Sequence, residues 1–149
     1  MPTPNGVPAP KLVSRRIIPA TREEVFGAWT DPESLRHWMC PGDILEAEAQ
    51  LDVRVGGAYR ILMKGKDKAY EHTGMYQVVD PPARLVFTWI SAGTDHQATL
   101  VSVELVERPG GTELVLTHEQ FPSSEARDRH QRGWGQIADK LAGLFPRTK

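Results

Sequence analysis

Residues 124–145 read SEARDRHQRGWGQIADKLAGLF. Trp134, Ile137, Leu141 and Phe145 fall on one stripe at helical spacing, with Ala138 and Leu144 beside them, which predicts one long amphipathic helix. Upstream, from roughly Leu45 to His118, the apolar period is two and turn residues punctuate short strands. A broad twisted sheet facing a single long helix has more concavity than that helix fills. The imbalance predicts a pocket between sheet and helix, and enclosed, mostly apolar pockets are where small molecules bind.

Working outward, the inward rows are regular. Tyr59, Ile61 and Met63 share a face. Leu85, Phe87 and Trp89 alternate with Val86 and Thr88. Val101, Val103 and Leu105 form another row, and Leu114, Leu116 and His118 the last. Gly56-Gly57, Pro81-Pro82 and Pro109-Gly110-Gly111 supply turns between adjacent strands, so the sheet is expected to be antiparallel. Gly74, inside the strand from Glu71 to Val79, marks an expected bulge. Before the sheet, Lys11 to Ile18 reads as a strand. Thr21 with Glu24 three residues on has the spacing of a capping box. Asp31-Pro32 restarts a second short helix presenting Leu35, Trp38 and Met39. Gly133 and Gly135 flank Trp134, and two glycines inside a helix predict close approach of another segment there. The fold class is α+β: six or seven curved antiparallel strands gripping one C-terminal helix, with two short helices closing one end.

Bulk properties narrow the function. The chain has 149 residues, 40% apolar and 25% charged, with 18 basic against 19 acidic side chains and a formal net charge of −1. One domain, 11–149, behind a short disordered tail, 1–10, is the simplest partition. That balance gives no electrostatic basis for nucleic acid or anionic lipid. Arg127, Arg129 and Arg132 are interleaved with Glu125 and Asp128 and read as a solvated helix face. No apolar run approaches the ~20 residues of a membrane span. A single cysteine, Cys40, excludes an internal disulfide and fits a reducing, cytoplasmic setting.

The segments Phe26-Gly27-Ala28-Trp29-Thr30-Asp31-Pro32-Glu33, Asp52 to Gly57, Pro81 to Trp89, Gly110-Gly111-Thr112 and Gly133-Trp134 occur in an order that resembles a known family. It is the START-related, birch-pollen-allergen-like helix-grip superfamily, in the branch named after the C-terminal domain of the heat-shock-protein-90 ATPase activator. The resemblance spans Arg15 to Leu144. It implies the helix-grip fold and a cavity, and no particular reaction, since the superfamily holds carriers, receptors, cyclases and hydrolases. Relatives often have a Trp-Trp-Gly-Pro segment where this chain has Trp38-Met39-Cys40-Pro41. The co-chaperones of the branch carry a separate N-terminal domain, so a chaperone partner is not expected here.

Candidate ligand-binding residues follow from the expected pocket. Trp29, Trp38 and Met39 come from the short helices. Tyr59, Met63 and Trp89 come from the sheet. His118, Phe121, Trp134, Ile137 and Leu141 come from the last strand and the long helix. Tryptophan and tyrosine offer apolar area with a polar handle, and methionine adapts its shape. The expected partner is a small hydrophobic molecule. His118, in register with Leu114 and Leu116, is a candidate general acid or base, as are Tyr76 and Tyr59. His72 lies in phase with Tyr76, and His130 stands one turn before Trp134. Cys40 has no second cysteine for a metal site and only His37 as a nearby base, so neither metal nor cofactor is expected. A phosphate loop and a nucleophile elbow are absent from the sequence. Three functions remain open: a carrier or sensor of an apolar ligand, a cavity enzyme of cyclase, dehydratase or hydrolase type, and a chaperone-activating module. Edge strands leave room for a homodimer.

Overall fold

The computed structural model describes residues 9–145. Most of the expected tail, 1–8, lies outside them. Pro10, at its end, accepts a hydrogen bond from the Phe121 amide at 3.3 Å. The elements are β1 (Leu12–Ile18), α1 (Arg22–Thr30), α2 (Pro32–Trp38), β2 (Glu46–Leu51), β3 (Ala58–Lys64), β4 (Ala69–Asp80), β5 (Arg84–Trp89), a 3₁₀ turn (Ala92–Thr94), β6 (Thr99–Arg108), β7 (Gly111–Glu119) and α3 (Ser124–Leu144).

Local chemistry sets the start of each helix. Thr21 Oγ1 accepts from the Glu24 amide at 3.1 Å, and Glu24 Oε1 accepts from the Thr21 amide at 3.0 Å, so the capping box at α1 is complete. Asp31 Oδ1 accepts from the Glu33 amide at 3.0 Å, and Pro32 opens α2 where no amide is needed. Ser123 caps α3 through the Ala126 amide at 3.1 Å.

The seven strands form one antiparallel sheet in the order β1-β7-β6-β5-β4-β3-β2. From β2 to β7 each strand pairs with the next, and β1 returns to the far side of β7. The sheet curls as a half-barrel around α3. Its concave face carries the alternating rows read from the sequence, each residue buried: Tyr59, Ile61 and Met63; Leu85, Phe87 and Trp89; Leu114, Leu116 and His118. Against them α3 buries Trp134, Ile137, Ala138 and Leu141. An ion pair between Arg16 and Asp139 ties β1 to the outer face of that helix.

Two glycine expectations are corrected. The β4 bulge falls between Tyr76 and Val78, not at Gly74. Gly74 instead permits a close approach. A Cβ there would fall well inside van der Waals contact distance of the Thr88 carbonyl oxygen and 2.6 Å from Tyr59 Cε2. In α3, a Cβ on Gly135 would meet nothing within 4 Å, and one on Gly133 only Pro41 Cβ at 3.8 Å. Gly135 faces open space and Gly133 stands at ordinary van der Waals range of Pro41, so neither position requires a glycine for close approach.

Gly74→Ala is therefore expected to cost about 2–3 kcal/mol, because the clash is with backbone that cannot rotate away. Urea unfolding measures it, and a loss under about 0.5 kcal/mol would contradict the close packing of β4 on β5.

Candidate functional site

The middle of the grip is filled. Trp29 of α1 lies 4.8 Å from Trp38 and 6.3 Å from Trp134, ring to ring, and Trp134 lies 5.0 Å from Trp89. Tyr59 packs edge-on to Phe87 at 5.5 Å. These rings leave a void of about 10 Å³ bordered by Trp29, Met39, Tyr59, Tyr76 and Phe87, room for one water and no ligand. The pocket expected between sheet and helix therefore does not run through this middle. Side chains of α1 and α2, which the count of one helix omitted, plug the saddle.

The open space lies at one end instead. A cleft of about 410 Å³ runs between α3 and the sheet, walled by Met63, His72, Trp89, Trp134 and Ile137. A second lobe of about 560 Å³ continues it beneath the turn after β5. The lobes share Pro41, Met63, His72, Gly93 and His130, so they form one cleft. Both volumes fall within the range of small-molecule sites. Lys140 Nζ donates to the Cys40 carbonyl at 2.6 Å and so ties the α2–β2 connection to α3 at the side of the cleft.

Behind the cleft runs a hydrogen-bonded chain. Trp134 Nε1–H donates to His118 Nδ1 at 2.9 Å. An indole N–H can only donate, so Nδ1 must be the acceptor and the imidazole proton sits on Nε2. Nε2–H then donates to Thr99 Oγ1 at 2.7 Å, and that hydroxyl donates to the Trp89 carbonyl at 2.6 Å. His118 is fully buried with both nitrogens engaged by the protein. Burial, and then the neighbouring His130, push its pKa down to about 2.

His72 is placed differently. It is buried on the cleft wall, and its ring lies 4.7 Å from that of Trp89. Burial first, then His130, push its pKa down to about 4. Among the described residues three buried ring nitrogens lack a hydrogen-bond partner: His72 Nδ1, Trp89 Nε1 and, in the packed centre, Trp29 Nε1. His130 Nδ1 donates to the Ala126 carbonyl at 2.8 Å, which turns the ring across the junction of the two lobes.

Of the residues proposed from sequence, Met63, Trp89, Trp134 and Ile137 line the cleft. Trp29, Met39, Tyr59 and Tyr76 border the inner void instead. Trp38, His118, Phe121 and Leu141 are buried and line neither space. The Tyr59 hydroxyl donates to the Thr88 carbonyl at 2.5 Å, and burial raises its pKa well above the ordinary phenol value. Tyr76 is pushed up to about 12 by burial and by Asp52. Cys40 Sγ–H donates to the Arg36 carbonyl at 3.4 Å, and burial raises the thiol pKa. The sequence reading passed over Pro41, Gly93 and Gln136, which reach the cleft from connections or from a polar helix position. It also left Arg129 and Arg132 as solvated charges, yet both stand on the cleft rim. Among the described residues no three His, Cys, Asp or Glu side chains cluster to hold a metal ion. No described helix is long and apolar enough to cross a membrane.

Two measurements test the buried chain. Trp134→Phe keeps most of the ring volume and removes the donor to His118, so it is expected to cost about 1–3 kcal/mol for the unpaired nitrogen. The pH dependence follows from the histidines. Both His118 and His72 are held below the unfolded imidazole value, so their stabilisation is complete above about pH 6.5 and is lost as pH falls toward their folded values. Each histidine is expected to cost about 2 kcal/mol between pH 7.5 and 5. His118→Gln should lose about 2 kcal/mol less than the parent over that interval in denaturant titrations, and equal slopes would rule out the neutral buried imidazole.

Residues 19–146 match the family model described as "Activator of Hsp90 ATPase homolog 1-like protein". Among solved structures, a protein from Chromobacterium violaceum superposes with a TM-score of 0.79 at 24% identity, over 90% of this chain and 95% of that one. The AHSA1-like protein from Aeromonas hydrophila gives 0.77 at 24% identity, over 94% and 99%. A Rhodobacter sphaeroides protein gives 0.72 at 26% identity, over 90% and 93%. No curated protein matches the chain. The family match covers nearly all of the described fold, the likenesses share its architecture, and the fold is of a ligand-binding type; the chain belongs to the family of activator of Hsp90 ATPase homolog 1-like proteins.

Proposed function

We propose that this protein binds a small, largely apolar molecule in the cleft between α3 and the β3–β4 end of the sheet. One observation carries the reading. A cleft of about 410 Å³, within the range of small-molecule sites, is floored by Met63, Trp89, Trp134 and Ile137. A ligand entering it covers Met63, Trp134 and Ile137 and removes their apolar surface from water.

Binding is better supported than catalysis. Proton transfer needs a group with a free lone pair or proton and a pKa near the working pH. His118 has both nitrogens engaged, the Tyr59 hydroxyl is committed to a backbone carbonyl, and Tyr76 borders the inner void. His72 has a free Nδ1, but at about 4 its pKa makes it a weak base at neutral pH. The family's description also suggests a chaperone partner. Of the large exposed apolar side chains, Val13 and Ile17 share β1, while Leu45, Val55, Tyr70, Met75 and Leu144 stand on other segments, and two side chains on one edge strand are a small docking face.

The helical glycines give a clean test. Gly133→Leu places a side chain into the cleft at a helical position with space for it, while Gly135→Leu points to the neighbouring outer groove. Both substitutions are expected to keep or raise stability, since leucine favours helix over glycine by roughly 0.5–1 kcal/mol. Titration with the neutral fluorophore N-phenyl-1-naphthylamine should show binding to the parent and to Gly135→Leu, and at least tenfold weaker binding to Gly133→Leu. Equal affinity in all three would place the ligand elsewhere.

A further inference from the structure

The rim of the cleft carries a charge pattern that its apolar floor does not explain. Arg129 and Arg132 stand three residues apart on α3 and both line the 410 Å³ lobe, whose lining includes no aspartate or glutamate. Arg127, one turn away, pairs with Asp128 at 2.8 Å, and Arg16, Arg36, Arg54, Arg60 and Arg108 also meet carboxylates. Among the described residues Arg129 and Arg132 make no ion pair. The acidic residues of the site, Asp43 and Glu71, belong to the other lobe, and Glu71 is already held by Arg60 at 2.5 Å. Trp89 is 2% exposed and walls the same lobe.

We infer that the ligand of this cleft is an amphipathic carboxylic acid, its carboxylate at Arg129 and Arg132 and its apolar body inward over Met63, Trp134 and Ile137. This rests on the reading of the cleft as a ligand site and adds the ligand's charge and orientation. A guanidinium offers a planar fork of donors that matches a carboxylate, and two of them on one helix face create a local positive field at the mouth. A fully apolar ligand would leave that field unanswered. A ligand charged at its inner end would bury its charge among Met63, Ile137 and the indoles, at a cost of several kcal/mol.

The test compares 6-methoxy-2-naphthoate with its neutral isostere 6-methoxy-2-naphthamide, each displacing N-phenyl-1-naphthylamine from the full chain at low and at 0.5 M salt. The acid is expected to bind at least tenfold tighter at low salt, and the preference should shrink as salt screens the pair. Arg129→Gln with Arg132→Gln, both exposed positions, should abolish the preference while leaving the amide's affinity within twofold. Equal binding of acid and amide, or a preference that survives the double substitution, overturns the carboxylate assignment and leaves the cleft intact. Failure of all three compounds to bind the parent overturns the cleft itself, and the assignment with it.

Discussion

The hydrogen-bonded chain from Trp134 through His118 and Thr99 to the Trp89 backbone is the constraint on which the rest depends. It joins α3 to β7, β6 and β5 in three bonds of 2.6–2.9 Å. Every donor in it has an acceptor, which is what allows a polar chain to be buried without penalty. It also removes freedom from the two indoles that matter most. Trp134 is held through its N–H, and Trp89 is held through its backbone, so their rings stand at a fixed 5.0 Å spacing as the back wall of the cleft. An apolar residue at position 118 could fill the same volume, but it would leave the Trp134 N–H without a partner and its ring free to turn.

That anchoring decides where open space is left. The rings of Trp29, Trp38, Phe87 and Tyr59 close the middle of the half-barrel, so the helix is seated on packed aromatics there. Toward its N-terminal half the ring contacts of α3 are those of His130 with Phe121 and His118, at 5.1 Å each. The elements facing it are the α2–β2 connection, the β3–β4 hairpin and the turn after β5, all of which are loops or strand ends. Gly133 keeps the helix surface low at that point, and Gly93 lets the turn come within reach of His130, where a Cβ would sit 3.1 Å from Cε1. The cleft is thus a product of what the connections lack, while the core is a product of what the strands carry.

The same division explains how much could be read beforehand. Periodicity and capping are local signals, and the strand rows, the box at Thr21 and Glu24 and the Asp31-Pro32 restart all appear in the structure where the residues place them. The antiparallel order follows from short turns between strands. The site was legible only in part. Met63, Trp89, Trp134 and Ile137 were recognisable because they belong to periodic faces. Pro41, Gly93 and Gln136 were not, because loop geometry has no period. The plugged centre was missed because Trp29 and Trp38 sit on short helices whose packing direction depends on the sheet's curl, a tertiary property that no spacing encodes. Gly74 was read as a bulge since a glycine in a strand has two common causes, bulge and close approach, and only the neighbours Thr88 and Tyr59 decide between them.

Two histidines and two tryptophans around this cleft are satisfied to different degrees. His118 and Trp134 answer each other, and Thr99 completes the pair. His72 and Trp89 lie in contact at 4.7 Å between ring centres, and each leaves one buried ring nitrogen without a partner. Trp29 Nε1, in the packed centre, is in the same state, so an unpaired indole N–H in this fold accompanies dense aromatic packing and does not by itself mark the cleft. What belongs to the cleft is its lining: Met63, Trp89, Trp134 and Ile137 on the floor and Arg129 and Arg132 on the rim, so apolar surface and charge face one volume.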